Sequence, residues 1–263
     1  MNVEVLFLPT MAASLHSKLC VVLDELRATS TLSMMFEAGA RKVILADSVK
    51  HALSLAKTMP RDTPVCGERG GLPPNGFTHG NSPREFQPGS LKGKELVFCT
   101  SNGTRAMQKV AEAPVVLAGS LFNATSVVKK ALEVASNMRL DISLVCSGDI
   151  LGTKFAIDDA FAAGFLALLS QREAPKLIGA DVDLEESAVA AVRLYRSYLV
   201  EMNAADRQFN PPREVILKAF WESANAHVLK NVGLAEDVEF CAQVDITSSV
   251  PRLYLERDRL ILR

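Results

Sequence analysis

Short apolar runs alternate with helix-like segments over the first two thirds of the chain. Seven runs have the length of buried strands: residues 3–8, 19–23, 42–46, 64–67, 95–100, 115–118 and 142–146. Five segments repeat apolar residues at intervals of three or four and predict helices: residues 28–38, 47–59, 105–111, 124–136 and 154–170. Alternation of this kind predicts an α/β fold with a largely parallel sheet or sheets flanked by helices.

Beyond Pro175 the pattern becomes mainly helical. One amphipathic helix covers residues 184–202, and a second begins at Pro211-Pro212 and extends to Trp221 or beyond. Two further strand-like stretches close the chain: residues 239–245 and a last pairing around residues 252–262. We therefore expect a helical C-terminal portion that ends in strands.

The chain has 263 residues, of which 48% are apolar, so it can bury one large core or two modest ones. No repeat, low-complexity tract or clear linker interrupts it. We predict a single unit over residues 1–263. If this unit divides, its lobes are an α/β core at residues 1–175 and a helical part with terminal strands at residues 176–263.

The charge balance argues against a polyanionic or membrane partner. Lys and Arg number 29 and Asp and Glu 30, so no basic field would attract nucleic acid or a lipid surface. The amino end lacks a basic start and a long apolar stretch, and the apolar run at residues 160–169 is about half a membrane span. We expect a soluble, cytoplasmic protein, with a homo-oligomer left open.

The cysteines and histidines indicate no metal or disulfide framework. The five cysteines are scattered and odd in number, without Cys-x-x-Cys spacing, and most border apolar strand-like runs. Reduced, structural thiols are the interpretation that fits this pattern. The four histidines are equally dispersed, which argues against a histidine-built metal site.

The polar stretch after the second apolar run is the first candidate for chemistry. Asp24, Arg27, Thr29 and Ser30 follow the predicted strand at residues 19–23 and precede a predicted helix. The carboxyl end of a strand in an open α/β sheet is where ligands bind, and a helix start favours anions. A second interpretation is that Asp24 or Thr29 only caps the helix.

Residues 70–90 break the alternation of strands and helices. This stretch contains four glycines between Gly70 and Gly80 and prolines that rule out a regular element. Long loops of this kind are usually either functional or disordered. Phe77 and Phe86 offer buried anchors, so we favour an ordered loop that folds over the crevice and supplies Asn81 and Ser82 to a ligand.

Several other polar clusters also follow predicted strands. These clusters are Glu68-Arg69, the turn Thr100-Ser101-Asn102-Gly103-Thr104, Gly119-Ser120 with Asn123, and Cys146 to Asp149; Asp158-Asp159 lies in the first turns of the next helix. The glycine turn is typical of a phosphate cradle and equally of an ordinary turn. Carboxylates at several loop ends, with arginines and hydroxyls, suit Mg²⁺ and a phosphorylated substrate.

These motifs, in this order, resemble the 2-phosphosulfolactate phosphatase (ComB-like) family. The motifs that carry the resemblance are Val22-Leu-Asp24-Glu-Leu-Arg27-Ala-Thr29-Ser30, Gly67-Glu68-Arg69, Gly76-Phe77 with Gly80-Asn81-Ser82-Pro83, Asn102-Gly103-Thr104-Arg105-Ala106, Gly119-Ser120 with Asn123, and Asp158-Asp159 with Ala163-Gly164. They cover residues 20–170, and residues 237–251 resemble the family's tail more loosely.

The resemblance implies a Mg²⁺-dependent phosphatase that converts 2-phosphosulfolactate to sulfolactate and phosphate, a step known from coenzyme M biosynthesis. Three positions depart from the family pattern: Thr78, Ser101 and Asp158. Two of the three keep an oxygen ligand. The reaction type is therefore little affected, whereas the substrate could be another small phosphorylated acid.

The resemblance also implies roles for individual residues. Asp24, Glu68 and Asp159 are the expected catalytic residues, and these three with Asp158 are the expected Mg²⁺ ligands. The residues expected to hold phosphate or the other acidic groups of the substrate are Arg27, Thr29, Ser30, Arg69, Asn81, Ser82, Asn102, Gly103, Thr104, Ser120 and Asn123.

Two other functions remain open from the sequence alone. Cys99 and Arg105 are separated by five residues between a predicted strand and a helix, which is the spacing of a thiolate nucleophile and its phosphate-binding arginine. The residue directly before Cys99 is Phe98, not a histidine. A non-catalytic sensor of phosphorylated metabolites would use the same arginines and backbone amides without needing the acids.

Overall fold

The computed structural model describes residues 1–263, which form ten strands and nine α-helices. The strands are β1 (Asn2–Leu6), β2 (Lys18–Leu23), β3 (Lys42–Leu45), β4 (Val65–Gly67), β5 (Glu95–Cys99), β6 (Val115–Gly119), β7 (Asp141–Cys146), β8 (Asp183–Leu184), β9 (Leu253–Glu256) and β10 (Arg259–Leu262). The helices are α1 (Ala28–Glu37), α2 (Val49–Lys57), α3 (Gly103–Lys109), α4 (Ala124–Met138), α5 (Ile157–Ile178), α6 (Glu186–Glu201), α7 (Arg213–Trp221), α8 (Ala224–Asn231) and α9 (Ala235–Cys241).

The strands form two five-stranded sheets. The first has the order β6-β2-β7-β1-β8, and every neighbouring pair in it is parallel. The second has the order β4-β5-β3-β10-β9; β4, β5 and β3 are parallel, whereas β10 runs antiparallel to β3 and to β9. The predicted α/β fold with parallel sheets and flanking helices is confirmed, as is the terminal pairing around residues 252–262.

Strand β2 lies at the centre of the core because both of its faces are buried. Leu19, Val21 and Leu23 belong to the hydrophobic cluster that the first sheet forms with α4 to α7. Cys20 and Val22 point to the opposite face and join the cluster that contains α1, α3 and the second sheet. Since side chains alternate along a strand, β2 contributes to both layers, and its carboxyl end is thereby fixed between the two sheets.

The predicted strand at residues 239–245 is wrong, because helix α9 occupies residues 235–241. Its buried residues include Val238 and Cys241, which lie three positions apart and therefore share one face of a helix rather than alternating as in a strand. Two acidic residues in the first turn also favour a helix start.

Other boundaries differ by a few residues or by one break. The helix expected at residues 154–170 begins at Ile157 and continues through Pro175 to Ile178. The second C-terminal helix is interrupted at Ser223, which caps α8 by accepting a hydrogen bond from the backbone N–H of Asn225. No helix combines the length and the apolar character that a membrane crossing requires.

Candidate active site

The carboxyl ends of strands from both sheets meet at one cavity of about 260 Å³. Each of β2, β4, β5 and β7 is followed by residues that line it: Asp24, Glu68, Ser101 with Asn102, and Asp149. The remaining lining residues are Leu26, Arg27, Gly70, Gly71, Asn81, Ile150, Leu151, Asn225, Val228 and Leu229. Strand ends of two sheets and one C-terminal helix therefore build a single candidate site.

Asp24 lines the cavity and also caps helix α1. Its Oδ1 accepts a hydrogen bond of 2.9 Å from the backbone N–H of Ala28. Its Oδ2 faces Gly103, where an ideal Cβ would lie 2.7 Å from this oxygen. Burial raises the pKa of Asp24 to about 7, and the nearby charges of Asp158 and Glu68 act in the same direction. The two interpretations of Asp24, cap and site residue, are thus compatible.

Glu68 joins the loop after β4 to the turn after β5. Its Oε1 accepts a hydrogen bond of 2.7 Å from the backbone N–H of Ser101, and its Oε2 accepts one of 3.2 Å from the N–H of Gly71. Both donors are backbone groups, so the carboxylate holds a fixed position in the cavity wall.

Arg27 is the one basic residue among those that line the cavity. Its guanidinium forms an ion pair with Asp237 of α9, and both side chains are buried. A second guanidinium nitrogen donates to the carbonyl of Gly71 at 2.8 Å. The positive charge of Arg27 is therefore already balanced within the protein.

The loop at residues 70–90 brings Asn81 into the same cavity as Asp24 and Asn102. Asn81 is 4% exposed, and its Oδ1 is buried without a hydrogen-bond partner. Ser82 turns away and donates to Asp237 at 2.7 Å. Phe86 is buried and Phe77 packs partly buried on a neighbouring cluster, so the loop is anchored as the sequence predicts.

A second group of acids lies behind the cavity. Asp159 accepts hydrogen bonds from the backbone N–H groups of Glu25 and Gly148 and from the Ser147 hydroxyl, at 2.9 to 3.0 Å. Burial raises the pKa of Asp159 well above its usual range, and the charges of Asp158 and Asp24 add to this. Its oxygens are thus occupied by donors that join the loops after β2 and β7.

Asp158 is fully buried beside this group, with one free oxygen. The Ser223 hydroxyl donates to its Oδ1 at 2.8 Å, whereas its Oδ2 has no hydrogen-bond partner. Burial raises the pKa of Asp158 to about 6. Glu25, which sequence reasoning did not single out, is also buried; burial raises its pKa well above the usual range, although both carboxylate oxygens accept from the N–H of Leu121.

Most of the hydroxyl residues predicted to bind the substrate instead bond to backbone groups outside the cavity. The Thr29 hydroxyl donates to the carbonyl of Asp24, and the Ser30 hydroxyl donates to that of Glu25. The Thr104 hydroxyl likewise donates to the backbone carbonyl of Thr100. These side chains hold the strand-to-helix junctions in shape.

Ser120, Asn123 and Arg69 also lie outside the cavity lining. Asn123 donates to the carbonyls of Ala118 and Ser249 and so holds the C-terminal tail against β6. Arg69 donates to its neighbour's carbonyl and to Sγ of Cys99, the latter at 3.0 Å.

The geometry separates Cys99 from Arg105. Cys99 is buried, and burial raises the pKa of its thiol. Arg105 is exposed and lines a different cavity with Lys109 and Thr10. A thiolate mechanism needs an accessible Cys with a lowered pKa beside its arginine, so this arrangement does not support it.

Part of the cavity lining was not assigned to the site from the sequence. It consists of Asn225, Val228 and Leu229 on α8, together with Asp149, Ile150 and Leu151 after β7. The sequence showed Asp149 in a polar cluster after a predicted strand but gave it no role. The α8 residues had no signal, since only long-range packing brings them to the cavity.

Known proteins resemble this chain over most of its length. The family model for 2-phosphosulpholactate phosphatase matches residues 8–255. A relative from Carboxydothermus hydrogenoformans named "Probable 2-phosphosulfolactate phosphatase" is 34% identical over 263 residues, which are 100% of this chain and 97% of the relative. Proteins of the same name from Caldanaerobacter subterraneus and Thermus thermophilus are each 35% identical, over 91% and 89% of this chain and 89% and 86% of their own lengths.

The chain thus has an α/β fold with a polar cavity at its strand ends, and it matches the family model and the named relatives over nearly its whole length. The class that these findings define is a phosphoric monoester hydrolase. The chain belongs to the 2-phosphosulfolactate phosphatase family.

Proposed function

We propose that this protein is a Mg²⁺-dependent phosphatase that hydrolyses 2-phosphosulfolactate to sulfolactate and phosphate. The observation that carries the proposal is the charge of the cavity. Asp24, Glu68 and Asp149 line it, and its one arginine is already paired with Asp237. A phosphate ester with further acidic groups would be repelled by these carboxylates unless a cation offset their charge.

The donor set fits Mg²⁺. No three His, Cys, Asp or Glu side chains converge in a ready-made metal cage. Mg²⁺ does not need one, because it usually takes one or two carboxylates and completes its shell with waters and substrate phosphate. Asp24 and Glu68 would hold it, and the unpartnered Oδ2 of buried Asp158 is a further oxygen that a cation nearby would stabilise.

When bound, the ion would neutralise charge on the phosphate and lower the pKa of a water. The chain's own residues have the task of orienting the ester. Asn102 accepts a hydrogen bond from the N–H of Leu151 through its Oδ1, which leaves its amide hydrogens available for phosphate oxygens. Asn81 offers a second amide in the same cavity, and Arg27 is the one positively charged residue that lines it.

The proposal is tested by phosphate release from 2-phosphosulfolactate. We expect turnover with Mg²⁺, loss of turnover in EDTA, and recovery when Mg²⁺ is added back. Cys99→Ser should stay active, as should Cys66→Ser, a matched change at another buried thiol. Activity that resists EDTA but disappears only in Cys99→Ser would support a thiolate mechanism. If no phosphate ester is hydrolysed, a non-catalytic sensor is the better interpretation.

A further inference from the structure

The charges of the cavity are all on the side of the strand ends and the loop that follows them. The opposite wall is helix α8, whose lining residues Asn225, Val228 and Leu229 are uncharged. Residues three and four positions apart share one helical face, so α8 presents one polar side chain and an apolar strip to the cavity. Nothing in the proposed phosphate chemistry uses this wall.

Helix α8 is held firmly in this position. The Ser223 hydroxyl accepts from the backbone N–H of Asn225 and donates to buried Asp158, so one side chain ties the start of α8 to the acids behind the cavity. Further along the helix, α8 packs on the turn of Gly71: an ideal Cβ there would lie 3.6 Å from Val228. Asn225 therefore belongs to a fixed wall.

Two amide side chains in this cavity have no partner inside the protein. The side chain of Asn225 makes no hydrogen bond; only its backbone N–H does. Asn81 is nine-tenths buried with an unpartnered Oδ1, and it lines the same cavity from an independent segment. Buried polar groups are nearly always paired, so the unpartnered amide of Asn81 indicates a polar ligand in this cavity. Asn225 is half-buried, and its side-chain amide is free to meet the part of such a ligand that extends beyond the acids.

We infer that Asn225 is a specificity-determining residue that donates its amide N–H to the acidic group of the substrate farthest from the phosphate. The inference rests on the proposed function, because it takes the phosphate to lie at Asp24 and Glu68. The rest of the molecule, a small acid with carboxylate and sulfonate oxygens, then faces α8. A neutral amide suits this task because it binds an anion without adding charge to the cavity.

The side chain can be altered without disturbing the helix. Asp has nearly the shape of Asn and is favourable in the first turn of a helix, so Asn225→Asp should fold normally while repelling an anion. Asn225→Ala removes only the donor. Asn231→Asp, at the exposed end of the same helix, introduces the same charge away from the cavity and is the matched control.

The test measures sulfolactate and inorganic phosphate, the two products, as competitive inhibitors of the three variants. Turnover of 2-phosphosulfolactate by each variant is measured alongside. Hydrogen bonds to charged groups predict that Asn225→Ala raises KM and the inhibition constant of sulfolactate about ten- to a hundredfold. Asn225→Asp should raise both at least as much. The inhibition constant of inorganic phosphate and the kcat should stay near wild type, as should every constant of Asn231→Asp.

Two results would overturn the inference. One is an Asn225→Asp enzyme that matches Asn231→Asp for sulfolactate. The other is an equal loss of affinity for sulfolactate and phosphate, which would indicate a general distortion of the site. Wild-type protein that does not hydrolyse 2-phosphosulfolactate would instead refute the proposed function, and the inference with it, so the two failures are distinguishable.

Discussion

Arg27 and Asp237 form a buried ion pair although 210 residues separate them in the sequence. Arg27 follows β2 at the first strand end, and Asp237 lies in α9. Asp237 also accepts a hydrogen bond from Ser82 of the loop at residues 70–90. One carboxylate thus connects the first strand end, the loop and the C-terminal helices around the cavity.

We expect Asp237→Asn to destabilise the protein strongly. Asn keeps the shape and an acceptor for Ser82, but it leaves the charge of Arg27 buried and unpaired. Breaking a buried ion pair in this way costs about 3–5 kcal/mol, which thermal and urea unfolding would measure. Glu236→Gln is the control, because Glu236 neighbours Asp237 in α9 but pairs with Arg84 at the exposed surface. Equal stability of the two variants would contradict a structural role for the buried pair.

The strand-end half of the site could be predicted from sequence. Apolar runs located β2, β4, β5 and β7, and the carboxyl ends of parallel strands share an edge, so Asp24, Glu68 and Asn102 were expected to meet. Asn81 was also expected in the site, because Phe77 and Phe86 predicted an ordered loop that folds over the crevice. The sequence could not show which polar residues enter the cavity, because Thr29 and Asn123 have the same side-chain chemistry whether they bind a ligand or a backbone carbonyl.

The other half of the site depends on tertiary packing. Asn225 and Leu229 reach the cavity because α8 packs on the Gly71 turn and Ser223 bonds to Asp158. No local pattern encodes those contacts. The wrong strand prediction at residues 239–245 has a similar origin. Asp237, just before this stretch, is buried by its ion pair with the distant Arg27. The short apolar stretch itself was assigned the period of a strand, whereas the buried residues of α9 have the spacing of a helix.

Asp24→Asn should abolish turnover and leave the fold intact. Asn can still accept the hydrogen bond from the N–H of Ala28, so the cap on α1 is retained. The variant loses the anionic oxygen that we assign to Mg²⁺ or its water, and loss of such a group lowers kcat by about a hundredfold or more. The measurements are kcat, substrate affinity and melting temperature.

The control for Asp24→Asn is Asp245→Asn. Asp245 caps α4 by accepting from the N–H of Thr125 at 2.7 Å, but it is exposed and does not line the cavity. Normal turnover is expected there. If the Asp24→Asn enzyme is active, Asp24 only caps helix α1 and has no role in the reaction.

The stability of the metal-free protein should fall as pH rises from about 4 to 7. Burial raises the pKa of Asp24 from 3.8 to about 7, so the folded state holds this proton more tightly than the unfolded state does. The destabilisation is absent below the unfolded-state pKa and complete above the folded-state pKa, and it grows by about 1.4 kcal/mol for each pH unit between the two. Melting temperatures in EDTA should therefore decline with pH more steeply in wild type than in Asp24→Asn.

Addition of Mg²⁺ should restore much of this loss in wild type above pH 7, because a ligand of the folded state stabilises it. The same addition should have a smaller effect on Asp24→Asn. If the melting temperatures of the two proteins in EDTA decline equally steeply with pH, Asp24 is not the group that titrates.

Gly103→Ala should damage the site more than its loss of stability explains. An ideal Cβ at Gly103 would lie 2.5 Å from Cβ of Ala28 and 2.7 Å from Oδ2 of Asp24. Either contact forces α3 and α1 apart, and overpacking of this kind costs about 1–3 kcal/mol. The displaced groups include Oδ2 of Asp24, the carboxylate oxygen that does not accept from Ala28, so we also expect kcat of the folded protein to fall.

Gly119→Ala provides a matched control for this prediction. Its Cβ would approach Cγ1 of Val21 equally closely, at 2.5 Å, but its neighbours Val21, Leu23 and Val127 belong to the core and none lines the cavity. The two variants should lose comparable stability in urea unfolding, and only Gly103→Ala should lose kcat when rates are corrected for the folded fraction. Equal kcat in the two variants would mean that the position of Asp24 Oδ2 does not limit turnover, and the assignment of that oxygen to the reaction would then have to be abandoned.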